Sequence, residues 1–330
     1  MFLAGDIGGT NTRVAFFEGD PDHLKIVAIK IYPSSGASGP EEFLRQFLDE
    51  FKHPIESACF GIAGPIRDGR VQTPNLPWVV ESKRMANVIG LDSVGLINDL
   101  EANAHGIAVL QDADLVTLAA GAPSPTGNRG LISAGTGLGM AGLLYEPGGY
   151  QPFASEGGHT DFGPRNPLEI QLLEYLLKKF DHVSWERVLS GPGLSNIYEF
   201  LRDTGKADEP EWLAGQVASQ GTAAISRAGL DGSAPIALQA VDLFVSLYGA
   251  AAGNLALSVV ATNGLFIGGG IAPRLLKKLQ EAGFMKAFLA KGRVASLLNT
   301  VPVRVITNDK TALLGAGRCA AQLGAQKTPR

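Results

Sequence analysis

The first residues of the chain combine two short apolar runs with a turn that is dense in glycine. The turn residues are Gly5-Asp6-Ile7-Gly8-Gly9-Thr10-Asn11-Thr12-Arg13, and the second apolar run is Val14–Phe17. Two apolar runs joined by such a turn predict a β-hairpin. Glycine lets the backbone approach a ligand without a Cβ atom in the way. Backbone N–H groups, with the hydroxyls of Thr10 and Thr12, can then bind anionic oxygens, so the hairpin is typical of a phosphate-binding turn.

The same strand–turn–strand plan recurs in the middle of the chain, over Leu131–Tyr145, with the turn at Gly135-Thr136-Gly137-Leu138-Gly139. A third glycine turn, Gly268-Gly269-Gly270, follows a short apolar strand and is predicted to open a helix. Two similar turns can hold a polyphosphate from both sides. The third can place flat backbone against a purine and offer helix N–H groups. The three turns together predict a nucleotide site.

Strands alternate with helices along the chain, which predicts an α/β protein with a partly parallel sheet. At 330 residues the chain exceeds the size at which single cores stop growing, so two domains are expected. The net charge is −4 with no basic stripe, which argues against nucleic acid as a partner. No uninterrupted apolar run is long enough to span a membrane and no leader is evident, so a cytoplasmic protein is expected.

Cys59 and Cys319 are the two cysteines, and they lie far apart in the sequence. They form no CxxC pair, so neither a zinc site nor a disulfide framework is predicted. Two reduced, buried thiols are the expectation.

Polar residues that suit a sugar ring fall in three places. They are Asn98 and Asp99 after a buried strand, Glu156 and His159 in Glu156-Gly157-Gly158-His159, and Glu186 in Ser184–Gly193. A hexose is a ring of hydroxyls that both donate and accept, and carboxylates and amides pair with it well.

These segments, with Gly268–Arg274, resemble the actin, sugar-kinase and heat-shock-chaperone ATPase superfamily, and within it the bacterial glucokinases, the hexose kinases without zinc. The match runs from Gly5 to about Gly317. The resemblance implies an α/β, two-domain ribonuclease H-like (actin-like ATPase) fold with an interdomain cleft. It implies a small domain of residues 1–109 plus 302–330 and a large domain of residues 110–301. The implied activity is phosphorylation of D-glucose by ATP with Mg²⁺, in a homodimer.

The resemblance also implies roles for single residues. Asp99 is the implied general base, and Asp6 the implied Mg²⁺ anchor, through water. Asn98, Asp99, Glu156, His159 and Glu186 would bind glucose. The implied nucleotide site consists of Gly5, Asp6, Ile7, Gly8, Gly9, Thr10, Gly135, Thr136, Gly137, Gly269 and Gly270.

Other interpretations remain open from the residues alone. Asp99 can be the N-cap of the following helix, His159 a core histidine, and Glu186 a solvated helix residue. The rival functions are a kinase for another hexose or another phosphoryl donor, a sugar-binding regulator without catalysis, and, more distantly, a filament-forming ATPase.

Overall fold

A computed structural model describes residues 1–73 and 76–327. They form two compact units, of which unit 1 comprises the described residues of 1–114, 150–154 and 308–327, and unit 2 comprises Leu115–Gly149 and Ser155–Thr307. The predicted small domain also takes in residues 328–330, which lie outside the described residues.

Unit 1 contains strands β1 (Phe2–Ile7), β2 (Asn11–Asp20), β3 (His23–Pro33), β4 (Ser57–Ile62), β5 (Arg70–Gln72), β6 (Val79–Glu81) and β7 (Gly95–Asn98). Its helices, numbered along the whole chain, are α1 (Pro40–Glu50), α2 (Ser82–Ile89), α3 (Asp99–Gly106) and α13 (Thr311–Lys327), with short 3₁₀ turns at Ile107–Val109 and Asp112–Asp114.

The main sheet of unit 1 has the strand order β3-β2-β1-β4-β7. The predicted hairpin is confirmed, since β1 pairs antiparallel with β2 and places Asp6 opposite Arg13. Strands β1, β4 and β7 are parallel, with Asp6 opposite Gly61 and Ile62 opposite Asn98. The carboxyl ends of these three strands therefore meet at one edge of the sheet.

Each face of this sheet is covered by its own pair of helices. Because side chains alternate along a strand, Leu3 packs on the side of α1 and α2, in one cluster with Phe43 and Phe47. Ala4 faces the other side, in a cluster with Leu313 and Ala316 of α13. Helix α13 lies against α3, β1 and β4. It completes unit 1 although it comes long after α3 in the sequence.

Unit 2 contains strands β8 (Leu115–Ala119), β9 (Arg129–Ala134), β10 (Leu138–Glu146), β12 (Leu265–Gly268) and β13 (Val303–Ile306), and also β11 (Gly149–Ser155), whose residues 150–154 belong to unit 1. Its helices are α4 (Pro167–Leu176), α5 (Gly191–Asp203), α6 (Glu211–Gln220), α7 (Thr222–Asp231), α8 (Pro235–Ser258), α9 (Ile271–Arg274), α10 (Leu276–Leu279), α11 (Ala282–Leu289) and α12 (Ala295–Leu298). Short 3₁₀ helices span Gly157–His159, Trp185–Arg187 and Gly292–Val294.

The sheet of unit 2 repeats the arrangement of unit 1. Strand β9 pairs antiparallel with β10, which confirms the second predicted hairpin. Strands β9, β12 and β13 are parallel, with Gly268 opposite Ser133. The turn after β9 and the turn after β12 therefore lie at the same edge of this sheet.

Helix α8 is the centre of the unit 2 core. By length and composition it could cross a membrane, and 78% of its most apolar window is buried. It packs against α5, α7, α11 and β9. Burial of this kind is typical of a core helix, which explains its apolar composition without a bilayer.

Two segments differ from what their sequence predicts. The apolar pattern of residues 275–281 predicts one helix over the whole segment, whereas α10 covers only Leu276–Leu279. The residues Gly191-Pro192-Gly193 predict a break between helices, but they are the start of α5, where Ser190 Oγ accepts a hydrogen bond from Gly193 N–H at 3.0 Å. Proline fits the first turn of a helix because its missing N–H has no intrahelical partner there.

The burial of His105 in α3 predicts that acid destabilises the fold. It is 9% exposed, and its Nδ1 has no hydrogen-bond partner among the described residues. Burial, with a smaller effect of the Arg318 charge, lowers the pKa of His105 from 6.5 to about 4. The unfolded chain therefore takes up this proton first, and stability is lost as the pH falls from about 6.5 towards 4.

We expect wild type to lose about 1–2 kcal/mol more unfolding free energy than His105→Gln between pH 7 and pH 5. Urea denaturation at both pH values measures this difference. His23→Gln, at an exposed histidine, is the control and should follow wild type. Equal losses in wild type and His105→Gln would contradict the assignment.

Candidate functional site

The first glycine turn, in unit 1, connects β1 to β2. Gly8 N–H donates to Asn11 O at 3.1 Å, and Ser34 N–H donates to Thr10 O at 2.8 Å. Gly9 and Thr10 are exposed, so an anion can approach the turn at these two residues. Gly5 and Ile7 lie in β1 and bring the chain to this turn.

Thr12 does not take the predicted role. It is buried, and its Oγ1 is hydrogen-bonded to Ser34 Oγ at 3.0 Å. Ser34 Oγ in turn donates to Gly8 O at 2.7 Å. Both hydroxyls therefore hold the turn in shape from inside. Ser34 was not predicted, because it lies on a distant part of the sequence with no motif of its own.

Asp6 lies in β1 directly before this turn. Loss of hydration raises the pKa of Asp6 to about 6, the Arg13 charge opposes the shift, and the Asp99 and Asp309 charges add to it. Asp6 thus shares its surroundings with two further carboxylates. Arg13 Nη2 forms an ion pair with Asp309 Oδ2 at 2.7 Å.

A divalent cation fits this environment, because it would restore the ionised form of Asp6. Within residues 1–73 and 76–327, no group of three or more His, Cys, Asp or Glu side chains forms a complete metal site. Mg²⁺ in phosphate-transfer sites is held by one or two carboxylates, several waters and the substrate phosphates. The residues present therefore fit the predicted Mg²⁺ anchor.

Asn98 and Asp99 lie where β7 ends and α3 begins. Asn98 is the N-cap, because its Oδ1 accepts from Leu100 N–H at 2.9 Å and Glu101 reaches back to Asn98 N–H at 3.4 Å. The alternative of Asp99 as N-cap is therefore wrong. Asp99 is the first helical residue, and its Oδ1 also accepts from Leu100 N–H at 2.9 Å. Asn98 Nδ2 donates to Gly64 O at 3.3 Å.

The second glycine turn lies in unit 2 between β9 and β10. Gly135 N–H donates to Gly137 O at 2.8 Å, and Thr136 is exposed at the tip. Glu186 Oε2 accepts from Leu138 N–H at 2.9 Å. A Cβ atom at Gly137 would lie 2.6 Å from the same carboxylate oxygen, so only glycine leaves room for Glu186 there. Glu186 is therefore not a solvated helix residue.

Backbone hydrogen bonds bring Glu156 and His159 towards the segment of Glu186. Trp185 N–H donates to Thr160 O at 3.0 Å, and Phe162 N–H donates to Val183 O at 2.9 Å. The rings of Phe162 and Trp185 pack edge-on with centroids 5.3 Å apart. The side chains of Glu156 and His159 are 86% and 59% exposed, with Oε2 and Nε2 3.9 Å apart. His159 is therefore not a core histidine.

The third turn follows β12 at Gly268. Gly269 has φ +82°, and a Cβ atom there would lie 2.2 Å from Ala134 O. Both the backbone conformation and the lack of space therefore require glycine at this position. Gly270 is exposed and is the N-cap of α9, a helix of four residues. The predicted helix start is present, although the helix is short.

Tyr248 of α8 links the second and third turns and was not predicted as part of the site. Its fully buried hydroxyl accepts from Ala134 N–H at 3.2 Å and donates to Gly268 O at 3.4 Å. Burial raises the pKa of Tyr248, which keeps the hydroxyl protonated. From the sequence, this tyrosine is one of two aromatic residues in a long apolar helix.

Comparisons with known proteins agree with this arrangement. A family model described as Glucokinase matches residues 3–323. The glucokinase of Nostoc punctiforme is 42% identical over 339 residues, which covers 98% of this chain and 99% of that protein. A glucokinase structure from an Antarctic psychrotroph is similar with a TM-score of 0.85 and 31% identity, over 97% of this chain and 98% of that one.

A more distant solved structure has the same fold. It is a ROK family glucokinase from Streptomyces griseus in complex with glucose and AMPPNP, with a TM-score of 0.65 and 20% identity, over 97% of this chain and 99% of that one. These likenesses confirm the predicted α/β, two-domain actin-like ATPase fold.

Tyr248→Phe tests the link between the two turns. It removes the hydroxyl and leaves Ala134 N–H buried without its acceptor, so we expect a loss of about 1–3 kcal/mol in unfolding free energy. Guanidinium denaturation measures it. The control is Tyr175→Phe, whose hydroxyl donates at 2.5 Å to Asp203 near the surface and should matter less. A loss no larger than that of the control would refute the link.

Proposed function

This chain belongs to the glucokinase family, and we propose that it transfers the γ-phosphoryl group of ATP to the 6-hydroxyl of D-glucose. The observation that carries the proposal is the parallel register of β1, β4 and β7, which brings Asp6 and Asp99 to the same edge of the unit 1 sheet. A phosphoryl-transfer site needs a cation anchor and a proton acceptor close to the same reacting oxygen. The parallel strands β1 and β7 supply one of each at a single sheet edge.

Asp99 acts as the general base in this proposal. It accepts the proton of the 6-hydroxyl as that oxygen attacks the γ-phosphorus atom. Its position as the first residue of α3 keeps the carboxylate next to the helix N-terminus, where negative charge is favoured. The hydrogen bond from Leu100 N–H to Oδ1 fixes the orientation of the carboxylate.

Asp6 would hold Mg²⁺, directly or through water. The cation supplies neutralisation of the charge that develops on the β- and γ-phosphate oxygens. The exposed Gly9 and Thr10 would present N–H groups and a hydroxyl to the phosphates, while Gly8, whose N–H donates to Asn11 O, gives the turn its shape. Gly5 and Ile7 shape the strand that leads to it.

The turns of unit 2 would bind the rest of the nucleotide. Thr136 and Gly137 would offer N–H groups and a hydroxyl to phosphate oxygens, while Gly135, whose N–H donates to Gly137 O, closes the turn. Gly269 and Gly270 present flat, exposed backbone to the adenosine. Support comes from the parallel pairing of β9 and β12, which puts both turns at one edge.

Glucose binding is assigned to Asn98 and Asp99 in unit 1 and to Glu156, His159 and Glu186 in unit 2. An amide nitrogen carries two N–H groups, so Asn98 Nδ2 can donate to Gly64 O and to a sugar hydroxyl at the same time. The exposed Glu156 and His159 are available to vicinal hydroxyls. Glu186 couples the sugar to the second turn, because its carboxylate also accepts from Leu138 N–H.

The proposal includes three further predictions that follow from the family. They are a requirement for Mg²⁺, a homodimeric state and a cytoplasmic location. Activity with and without chelator and light scattering with in-line chromatography test the first two.

A substrate panel tests the function itself. We expect the highest kcat/KM for glucose with ATP among glucose, mannose and fructose, each combined with ATP, ADP and polyphosphate, in coupled assays of product formation. A higher value for another sugar or donor would support the rival kinase. Glucose binding in calorimetry without any turnover would support the regulator.

Asp99→Asn tests the base. The amide retains an acceptor for Leu100 N–H but cannot take a proton, so we expect kcat to fall by about 10²–10⁴ while glucose affinity changes little. Initial rates and calorimetric glucose titrations measure the two. Asp92→Asn, at an exposed carboxylate of unit 1, is the matched control with unchanged kcat. Near-normal turnover of Asp99→Asn would remove Asp99 from the mechanism.

A further inference from the structure

The two cysteines of this chain lie together, although they are far apart in the sequence. Cys59 is in β4 and Cys319 is in α13, and they belong to one cluster with Ile97, Ala102 and Ala320. The two thiols are close enough that each shifts the pKa of the other. Cys59 is fully buried, whereas Cys319 is partly exposed, so the expectation of two buried thiols is wrong for Cys319. The proposed glucose phosphorylation uses neither.

The backbone around the pair is packed closely enough to fix it. Ser57 Oγ in β4 donates to Ala320 O in α13 at 2.5 Å. A Cβ atom at Gly95 of β7 would lie 3.0 Å from Cys59 Sγ and 2.9 Å from Leu323 of α13. Three elements of unit 1 therefore meet at these thiols, and neither sulfur atom is placed by a flexible loop.

A small cavity borders the cluster of the two cysteines. Its volume is about 100 Å³, and its lining residues are Ser57, Ala58, Ser93, Val94, Gly95 and Leu323. Leu323 belongs to the cluster, and a Cβ atom at Gly95 would lie 3.0 Å from Cys59 Sγ. A water molecule occupies about 30 Å³ in the liquid, so a molecule of the size of hydrogen peroxide fits beside the cluster. Cys319 is itself partly exposed, so peroxide can reach it from solvent.

The two thiols differ in exposure, since Cys59 is buried and Cys319 is partly exposed. The neighbouring Cys59 thiol, and more weakly the Arg318 charge, lower the pKa of Cys319, against burial and the Glu101 charge. The neighbouring Cys319 thiol, then burial, raises the pKa of Cys59. The thiolate is the nucleophilic form and Cys319 is the more accessible thiol, so we expect Cys319 to react first and Cys59 second.

We propose that Cys59 and Cys319 form a peroxide-sensitive, reversible disulfide within unit 1. The Cys319 thiolate attacks one oxygen of a hydroperoxide, the O–O bond breaks, and the other oxygen leaves as water or alcohol after taking a proton. Cys319 is then a sulfenic acid. The Cys59 sulfur attacks the Cys319 sulfur, the S–O bond breaks, and hydroxide leaves and takes the Cys59 proton as water. Two thiols are oxidised by two electrons, and the peroxide is reduced.

The disulfide acts on Asp99 through α13 and α3. It shortens the distance between the sulfur atoms to about 2.05 Å, which is below any hydrogen-bond distance. Helix α13 must move together with Cys319. It has no room to move against α3, because a Cβ atom at Gly315 would lie 1.8 Å from Ala102 O. Helix α3 begins at Asp99. Oxidation therefore shifts the general base relative to its substrate, and kcat falls.

The test exposes reduced full-length protein to hydrogen peroxide and follows it by intact mass, peptide mapping and glucose phosphorylation. We expect the loss of two hydrogen atoms, one cross-linked peptide pair joining Cys59 to Cys319, and a fall of kcat by up to about 100-fold. Dithiothreitol should restore all three. A disulfide between two chains, or none, would overturn the proposal. A complete Cys59–Cys319 disulfide with unchanged kcat would overturn the effect on Asp99.

Single-cysteine variants assign the two roles. In Cys59→Ser, and in Cys59→Ala as a second choice for folding, peroxide should leave Cys319 as a sulfenic acid that dimedone traps. In Cys319→Ser, Cys59 should stay unmodified at the same peroxide concentration. Faster oxidation of Cys59 than of Cys319 would reverse the assignment. The mass readouts do not depend on catalysis, so they stand even if the protein fails to phosphorylate glucose.

Discussion

The parallel pairing of β1, β4 and β7 in unit 1, and of β9, β12 and β13 in unit 2, determines most of the site. Ligands of α/β proteins bind at the carboxyl ends of parallel strands, because that is where the loops and helix N-termini point. Asp6 and Asn98 reach the edge in unit 1 through this pairing, and the turns after Ala134 and Gly268 reach it in unit 2. Asp6, Asn98 and the two turns of unit 2 are then held by strand ends rather than by long loops.

The sequence was sufficient for the hairpins and turns, since their signals are local. Glycine, threonine and the flanking apolar runs define both strand–turn–strand units within about fifteen residues. The grouping of Glu156, His159 and Glu186 was predictable only from family resemblance, because the hydrogen bonds between their segments join distant parts of the chain. The choice between Asn98 and Asp99 as the N-cap changes the start of α3 by a single residue. The helix preferences of the amino acids do not determine a helix boundary that finely.

The contacts that could not be predicted are those of single side chains across long sequence separations. Ser34 supports the first turn, Tyr248 joins the second and third, and Cys59 meets Cys319. Each residue type is common in a core, and nothing beside it in the sequence distinguishes it. Such contacts follow from the packing of whole elements, here α8 on β9 and α13 on β4, and packing is set by the tertiary fold.

Helix α13 covers one face of a sheet whose strands were all made much earlier, and this has a consequence for synthesis on the ribosome. Until Thr311–Lys327 leaves the exit tunnel, the apolar side chains of β1 and β4 on that face, among them Ala4 and Cys59, lack their cover. Unit 2 is complete by then. In the nascent chain, unit 2 can therefore fold before unit 1 is complete. A chaperone that shields apolar surface would act on unit 1.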